Sequence, residues 1–286
     1  MDGKSGRACV ITGAGRGLGR ALALHVASEG YEVAMCSRTA AELDDAVDEV
    51  ERAGGRASAR TVDVTDPAAV EAVAAGVAEQ HGSVWAVVNN AAVLGPVGRV
   101  DTVDVEPWMH ALAVDVGGVV AVTRAFVPQM RRAGSGRIVN LSGGGIGGPT
   151  PQSRVSAYTA SKAAVDVLTE VLAGELASDG ITINAVAPGP APTTFLAEVL
   201  RVGPEVAGPE LHEAAVQNQS SSGCFDSFFA LIDFLLADDS EWLTGKLLSA
   251  RWDRVEDLLA RRDRLVGTSL LTLRRIDDQL FSEVPR

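Results

Sequence analysis

The amino-acid sequence predicts an α/β protein built on a doubly wound parallel sheet, as a single domain with a C-terminal helical extension. Three observations lead there. Short apolar runs of strand length alternate with amphipathic stretches of helix length, the pattern of right-handed strand–helix–strand units. Several of the runs are apolar at successive positions, as strands covered on both faces must be. No linker rich in glycine and serine divides the 286 residues, so 1–286 reads as one unit.

In chain order, Ala8–Thr12 reads as a strand, Gly19–Glu29 as a helix, Glu32–Cys36 as a strand and Ala40–Ala53 as a helix. Ala57–Val62 is the third strand. Asp66 then caps a helix with Pro67 in its first turn, running through Glu79. Val84–Asn89 is a strand of continuous apolar character, and Trp108–Arg131 one long, mostly apolar helix packed on the sheet. Gly136–Leu141 is a strand, Ala157–Ala177 a helix and Thr182–Ala187 a strand. Pro188–Gly223 is the least regular stretch, with a short apolar run, Phe195–Val202, that can form a helix; residues 193–225 are expected to form a lid over a ligand cleft. Residues 226–236 resume as a helix, Gly245–Ala250 as a last strand, and 251–286 as an extension containing the helix Trp252–Leu265.

Composition removes several classes of function. Hydrophobic residues are 47% and charged residues 22% of the chain, which excludes general disorder and collagen-like repeats. The net charge of −12 has the wrong sign for a nucleic-acid binder or an anionic membrane surface. Three cysteines, Cys9, Cys36 and Cys224, cannot make a disulfide framework. The N-terminal residues lack an apolar signal core, and no run of about 18 apolar residues is seen. A cytoplasmic protein with a small-molecule substrate, no metal, no membrane and no nucleic acid is expected.

The first strand runs straight into a glycine-rich loop that opens a helix, Thr12-Gly13-Ala14-Gly15-Arg16-Gly17-Leu18-Gly19. Glycines there let the backbone turn tightly and approach a ligand, and a helix N-terminus offers free N–H groups to a pyrophosphate. The next strand ends at Ser37-Arg38-Thr39, where an acid would bind an adenosine ribose; Arg38 stands there instead. A guanidinium favours a 2′-phosphate, and Arg16 can face the same group, so NADP(H) is expected over NAD(H).

Tyr158 and Lys162 lie four residues apart at the start of a helix, hence on one face. An ammonium beside a phenol stabilises phenolate, and such a phenol can exchange a proton with an alcohol or ketone oxygen. The chain has only two tyrosines, which sharpens the signal.

At this point the chain resembles the short-chain dehydrogenase/reductase family. The glycine loop, Asp63-Val64, Asn89-Asn90-Ala91-Ala92, Tyr158-x-x-x-Lys162, Asn184 to Gly189 and Trp242 to Lys246 follow the family's order and spacing over residues 7–250. The resemblance implies a Rossmann sheet, a nicotinamide cofactor and a homo-dimer or homo-tetramer built on two long helices. It implies that Asp63 and Val64 meet the adenine, and that Asn89, Asn90 and Ala91 line the adenine-side ribose and the central sheet. Lys162 would hold the nicotinamide ribose, Tyr158 would be the acid/base, and Pro188, Gly189 and Thr193 would touch the nicotinamide end.

Two positions depart from the family pattern. Asp115 stands where the family has a helical asparagine supporting a water near the lysine; it either accepts from that water or makes a structural hydrogen bond, and its charge opposes phenolate formation. In Val139-Asn140-Leu141-Ser142-Gly143, Gly143 takes the slot of the catalytic serine, and Ser142 on an extended strand points the other way unless the glycines re-aim it. Ser153 and Ser156 are alternative hydroxyl donors. Three readings stay open: an NADP(H)-dependent reductase or dehydrogenase with a remodelled oxyanion wall, a non-redox elimination or isomerisation in the same pocket, and a nucleotide-binding protein without catalysis. Phe195, Leu196, Val199, Leu200, Leu211, Phe225, Phe228 and Phe229 predict an apolar substrate wall.

Overall fold

The structure, a computed structural model, describes residues 6–143, 146, 152–189, 194–219 and 225–274. Its centre is a seven-stranded sheet of β1 (Ala8–Thr12), β2 (Glu32–Ser37), β3 (Arg56–Thr61), β4 (Val84–Asn89), β5 (Gly136–Leu141), β6 (Ile181–Ala187) and β7 (Leu247–Ser249). The strand order is β3-β2-β1-β4-β5-β6-β7, and every pair is parallel. β1 pairs with both β2 and β4. The chain therefore reverses its direction of travel there, leaving a crevice at the carboxyl ends of the two strands.

Strand alternation explains the continuous apolar runs. In β1, Cys9 and Ile11 enter the core on one face, against α1 (Gly17–Ser28), α2 (Ala40–Arg52) and α9 (Asp226–Leu236). Ala8 and Val10 enter the opposite core, shared with α3 (Pro67–His81), α5 (Gly118–Ala133) and α6 (Ser156–Leu176). Cys9 and Cys36 are buried free thiols, each pushed up to about 12 by desolvation. Asp66 caps α3 as expected, its carboxylate accepting from Ala68 N–H and Ala69 N–H.

Three predicted elements come out differently. The helix expected over Trp108–Arg131 is α4 (Val105–Leu112), a π turn at Ala113–Gly117, and α5. Asp115 sits in the widened turn and is satisfied from outside the helix, which supports the extra residue. By length and composition Val105–Ala133 could cross a bilayer, but half of its most apolar stretch is buried, and Val122, Phe126 and Met130 belong to the core.

The stretch expected to be irregular holds two helices, α7 (Thr194–Ala207) and α8 (Pro209–Gln219). α7 breaks at Gly203 (φ 75°), followed by Pro204, where the predicted run to Val202 ends. The C-terminal helix is shorter and split, into α10 (Val255–Ala260) and α11 (Arg262–Leu265). Its predicted first turn is pulled off the helix because Asp253 accepts from Ser249 N–H at 2.7 Å. Lys246 anchors the segment that follows, donating to the carbonyls of Thr268 (2.6 Å) and Leu270 (3.1 Å).

Candidate active site

A cleft of about 430 Å³ opens at the carboxyl ends of β1, β2, β4 and β5. It gathers most of the residues singled out in the sequence: Gly13, Gly15 through Gly19, Ser37, Arg38, Thr39, Asp63, Val64, Asn90, Ala91, Ser142, Tyr158, Lys162 and Pro188. Gly189 is not among the lining residues. Thr193 and Cys224 lie outside the described residues.

One end of the cleft is walled by the glycine loop. Arg16 is extended at the N-cap of α1 and makes no side-chain cap, so the first-turn N–H groups face the cleft without a capping acceptor. Gly13 has φ 66°, and a Cβ there would lie 2.8 Å from Asn90 Nδ2 and 2.9 Å from Ala91 Cα. Asn90 fixes this close approach by donating to the carbonyls of Thr12 (2.7 Å) and Gly13 (3.1 Å). Thr12 Oγ1 in turn accepts from Asn90 N–H and Ala91 N–H, both at 3.0 Å. The threonine is thus part of the clamp that shapes the loop. Arg16 and Arg38 lie at the outer rim, paired with Glu42 at 3.5 Å and Asp63 at 3.9 Å, and both guanidiniums are more than half exposed. Ser37 Oγ accepts from Thr39 N–H at 3.3 Å. The Asp63 carboxyl is held below the usual range, first by Thr65 N–H and also by Arg38.

Asn89 departs from its expected place. It turns inward, donating to Asn140 Oδ1 at 2.8 Å, and Asn140 donates to Thr169 Oγ1 at 2.8 Å. This is a buried polar ladder linking β4, β5 and α6, and Asn89 does not line the cleft.

The other end of the cleft belongs to α6. Tyr158 and Lys162 share one helical face as predicted, with the ammonium 5.8 Å from the phenol ring centroid. Lys162 is buried and donates to the Leu141 carbonyl at 2.8 Å. Repeating the four-residue step reaches Asp166, which the sequence reading missed although the spacing that found the first pair also finds it. Asp115 lies fully buried in the π turn, its two oxygens accepting from Val93 N–H (2.8 Å) and Ser161 Oγ (2.7 Å).

The electrostatic balance reverses one expectation. On balance the phenol is raised rather than lowered. Burial raises the Tyr158 hydroxyl well above its ordinary range, and the carboxylates of Asp115 and Asp166 add to the rise. Burial lowers Lys162, while the same carboxylates hold it up. Asp115 is raised by burial, against the pull of Lys162, and Asp166 is raised to about 7 for the same reason.

Ser142 also behaves as the strand geometry implies. It lines the cleft, but its hydroxyl points back and donates to Asp166 Oδ2 at 3.0 Å. Gly143 lies under the phenol: a Cβ there would be 2.7 Å from the Tyr158 hydroxyl oxygen and 2.8 Å from Cε1. A side chain at 143 is incompatible with this placement of the ring. Ser156 accepts from Trp108 Nε1–H at 3.0 Å, and Ser153 is exposed.

Among its described residues, the stretch expected to form a lid reaches the cleft through one side chain. Phe195 of α7 lies 5.0 Å, centroid to centroid, from the Tyr158 ring, and lines the cleft. Val199 of α7 and Leu211 of α8 pack with Val155 in a satellite core. Phe225, Phe228 and Phe229 are corrections to the predicted substrate wall. They pack into the main core on the α1 side of the sheet, where Phe229 stacks on His25.

The model of the family described as short chain dehydrogenase matches residues 7–201, the span that carries both ends of the cleft. The chain belongs to the short-chain dehydrogenase family. It is an oxidoreductase that moves a hydride between a nicotinamide cofactor and a carbonyl or alcohol carbon. Among its relatives is the cyclohexanol dehydrogenase of Acinetobacter sp. (strain SE19), 30% identical over 239 residues, which cover 84% of this chain and 91% of that one. NAD+-bound xylitol dehydrogenase is similar in structure, with a TM-score of 0.76 and 30% identity over 87% of this chain and 98% of that one. A variant of actinorhodin polyketide ketoreductase with NADPH has the same TM-score and identity, over 85% and 95%. These dehydrogenase relatives thus include structures with either dinucleotide, and the fold alone does not choose between them.

Proposed function

We propose that this dehydrogenase uses NADP(H) and acts on a small, largely apolar ketone or alcohol, with Tyr158 as the acid/base. The observation that carries the reading is the cleft itself: one cavity joins the glycine cradle, two guanidiniums and the Tyr158–Lys162 pair. The cradle fits a dinucleotide, because Gly13 leaves room where any side chain would strike Asn90 and the first turn of α1 presents uncapped N–H groups. Gly13 to Gly19 would hold the pyrophosphate, Ser37, Arg38, Thr39 and Arg16 the 2′-phosphate, and Asp63, Val64, Asn90 and Ala91 the adenosine. Lys162, Pro188, Gly189 and Thr193 would hold the nicotinamide end. The bound nicotinamide supplies or takes the hydride. Tyr158, protonated at rest, gives its proton to the carbonyl oxygen during reduction. Gly143 and Asp115 stand at the family's usual serine and asparagine, so the substrate oxygen is held by Tyr158 and its surroundings without a hydroxyl at 143.

Absorbance at the nicotinamide band, with NADPH and a panel of ketones headed by cyclohexanone, tests the activity. Oxidation of NADPH by at least one ketone is expected; tight NADPH binding with no oxidation across the panel would instead support a protein that only binds the nucleotide. For the cofactor, Arg38→Ala is expected to weaken NADPH by about tenfold while leaving NADH unchanged, since only the 2′-phosphate makes the charge-assisted bonds. Equal affinities in the starting protein would refute the preference.

A homo-dimer or homo-tetramer is part of the same proposal. Val120 of α5 and Val167 and Val171 of α6 are 43%, 50% and 52% exposed, apolar side chains suited to a second copy. Light scattering is expected to give a multiple of 29.7 kDa, and Val171→Glu is expected to shift it toward the monomer.

A further inference from the structure

Asp166 lines neither the cleft nor the surface, yet it carries a carboxyl. Only 6% of the residue is exposed. Oδ2 accepts from Ser142, and Oδ1 is buried without a hydrogen-bond partner among the described residues. The groups that face it are Ser142 from the end of β5 and Lys162 and Tyr158 from its own helix, with Asp115 reached across Lys162. Ser142 therefore stands between the two: the residue lines the cleft, and its hydroxyl is bonded to the buried carboxyl.

We propose that Asp166 is a positioning residue acting through Ser142: its carboxyl takes up one proton from the cleft when Tyr158 parts with one and returns it when Tyr158 is reloaded. The inference rests on Tyr158 being the acid/base. Its physical ground is charge. With Asp115 and Asp166 ionised and Lys162 protonated, the buried group already carries one net negative charge. A phenolate would add a second in a desolvated site. If the proton lost from Tyr158 is matched by one gained at Asp166, the total does not change. In alcohol oxidation the Tyr158 O–H bond breaks as its proton passes to a cleft water, that water passes a proton to Ser142 Oγ, and the Ser142 O–H bond breaks as its proton passes to Asp166 Oδ2. One O–H bond forms at Asp166, one is lost in the cleft, and no electrons are transferred. The carboxyl is raised to about 7, so both of its forms are accessible near neutral pH.

The test uses cyclohexanol oxidation by NADP+. Asp166→Asn is expected to lower kcat about tenfold near pH 7, with the loss shrinking toward about pH 9, where hydroxide takes the proton, and with KM for NADP+ within about twofold. Ser142→Ala keeps the carboxyl and removes the bridge, and is expected to show the same pH-dependent loss. A loss equal at all pH values, or none in either variant, would overturn the proposal. Infrared titration gives a readout independent of turnover and of the folding of Asp166→Asn. A protonated-carboxyl band titrating near neutral pH in the starting protein and kept in Ser142→Ala supports the assignment; its absence from the starting protein sinks it. Retained turnover in Tyr158→Phe would instead strike the acid/base reading, and the infrared band would still decide the proton uptake at Asp166.

Discussion

Tyr158→Phe is expected to lower kcat for ketone reduction by about 10²–10⁴-fold and to leave the NADPH dissociation constant unchanged. The substitution removes one oxygen and nothing else. Phenylalanine keeps the ring contact with Phe195, keeps the close packing over Gly143, and leaves Lys162 bonded to the Leu141 carbonyl. What disappears is the proton donor at the substrate oxygen. Because burial and two carboxylates raise the phenol, it stays protonated through the neutral and mildly alkaline range. Ketone reduction by the starting protein is therefore expected to show no alkaline loss from phenol ionisation up to about pH 9. Steady-state rates and a fluorescence titration with NADPH check the two halves of the prediction. Full turnover in the variant would move the proton donor to another residue.

Sequence patterns exposed the parts of this site that depend on backbone shape and on spacing within one helix. The glycine loop was legible because its glycines answer to sterics: a Cβ at Gly13 or Gly15 would meet Asn90, Ala91, Ser37 or Glu42. Tyr158 and Lys162 were legible because four residues make about one helical turn. Six of the seven strands lie within one residue of their predicted ends; burial on both faces explains the inner ones, whereas the edge strand β3 is only half-buried, and only the short β7 is overestimated. The orientation of side chains at strand ends was harder to read. Asn89 and Asn90 are neighbours, yet one joins an interior ladder and the other clamps the loop, because alternate residues face opposite ways. The π turn was hidden, because its cause is a pair of bonds from Val93 and Ser161, distant in sequence from Asp115. Phe225, Phe228 and Phe229 were misplaced for a similar reason. Apolarity says that they are covered but not by which face, and α9 turns them toward α1.

Lys162→Met is expected to destabilise the fold by about 3 kcal/mol at about pH 8, and by clearly less at about pH 5. Methionine fills nearly the same length of apolar stem, so packing changes little; the ammonium between two buried carboxyls is what is lost. Asp115 and Asp166 are already raised with Lys162 pulling them down, so they rise further without it. A carboxyl whose folded value lies above its unfolded value of about 4 binds more protons when folded. Its contribution to stability is fully present below that unfolded value and is lost as pH climbs through the folded one. For Asp166 in the starting protein that window ends at about 7; in the variant it extends upward, which steepens the loss on the alkaline side. Burial also penalises the ammonium itself, a cost that methionine removes, and this places the expected effect at the lower end of what leaving buried carboxylates without their counter-charge brings. Urea denaturation at the two pH values measures the difference. A variant as stable as the starting protein at about pH 8 would mean that both carboxyls carry protons there, and that Lys162 offsets no buried charge.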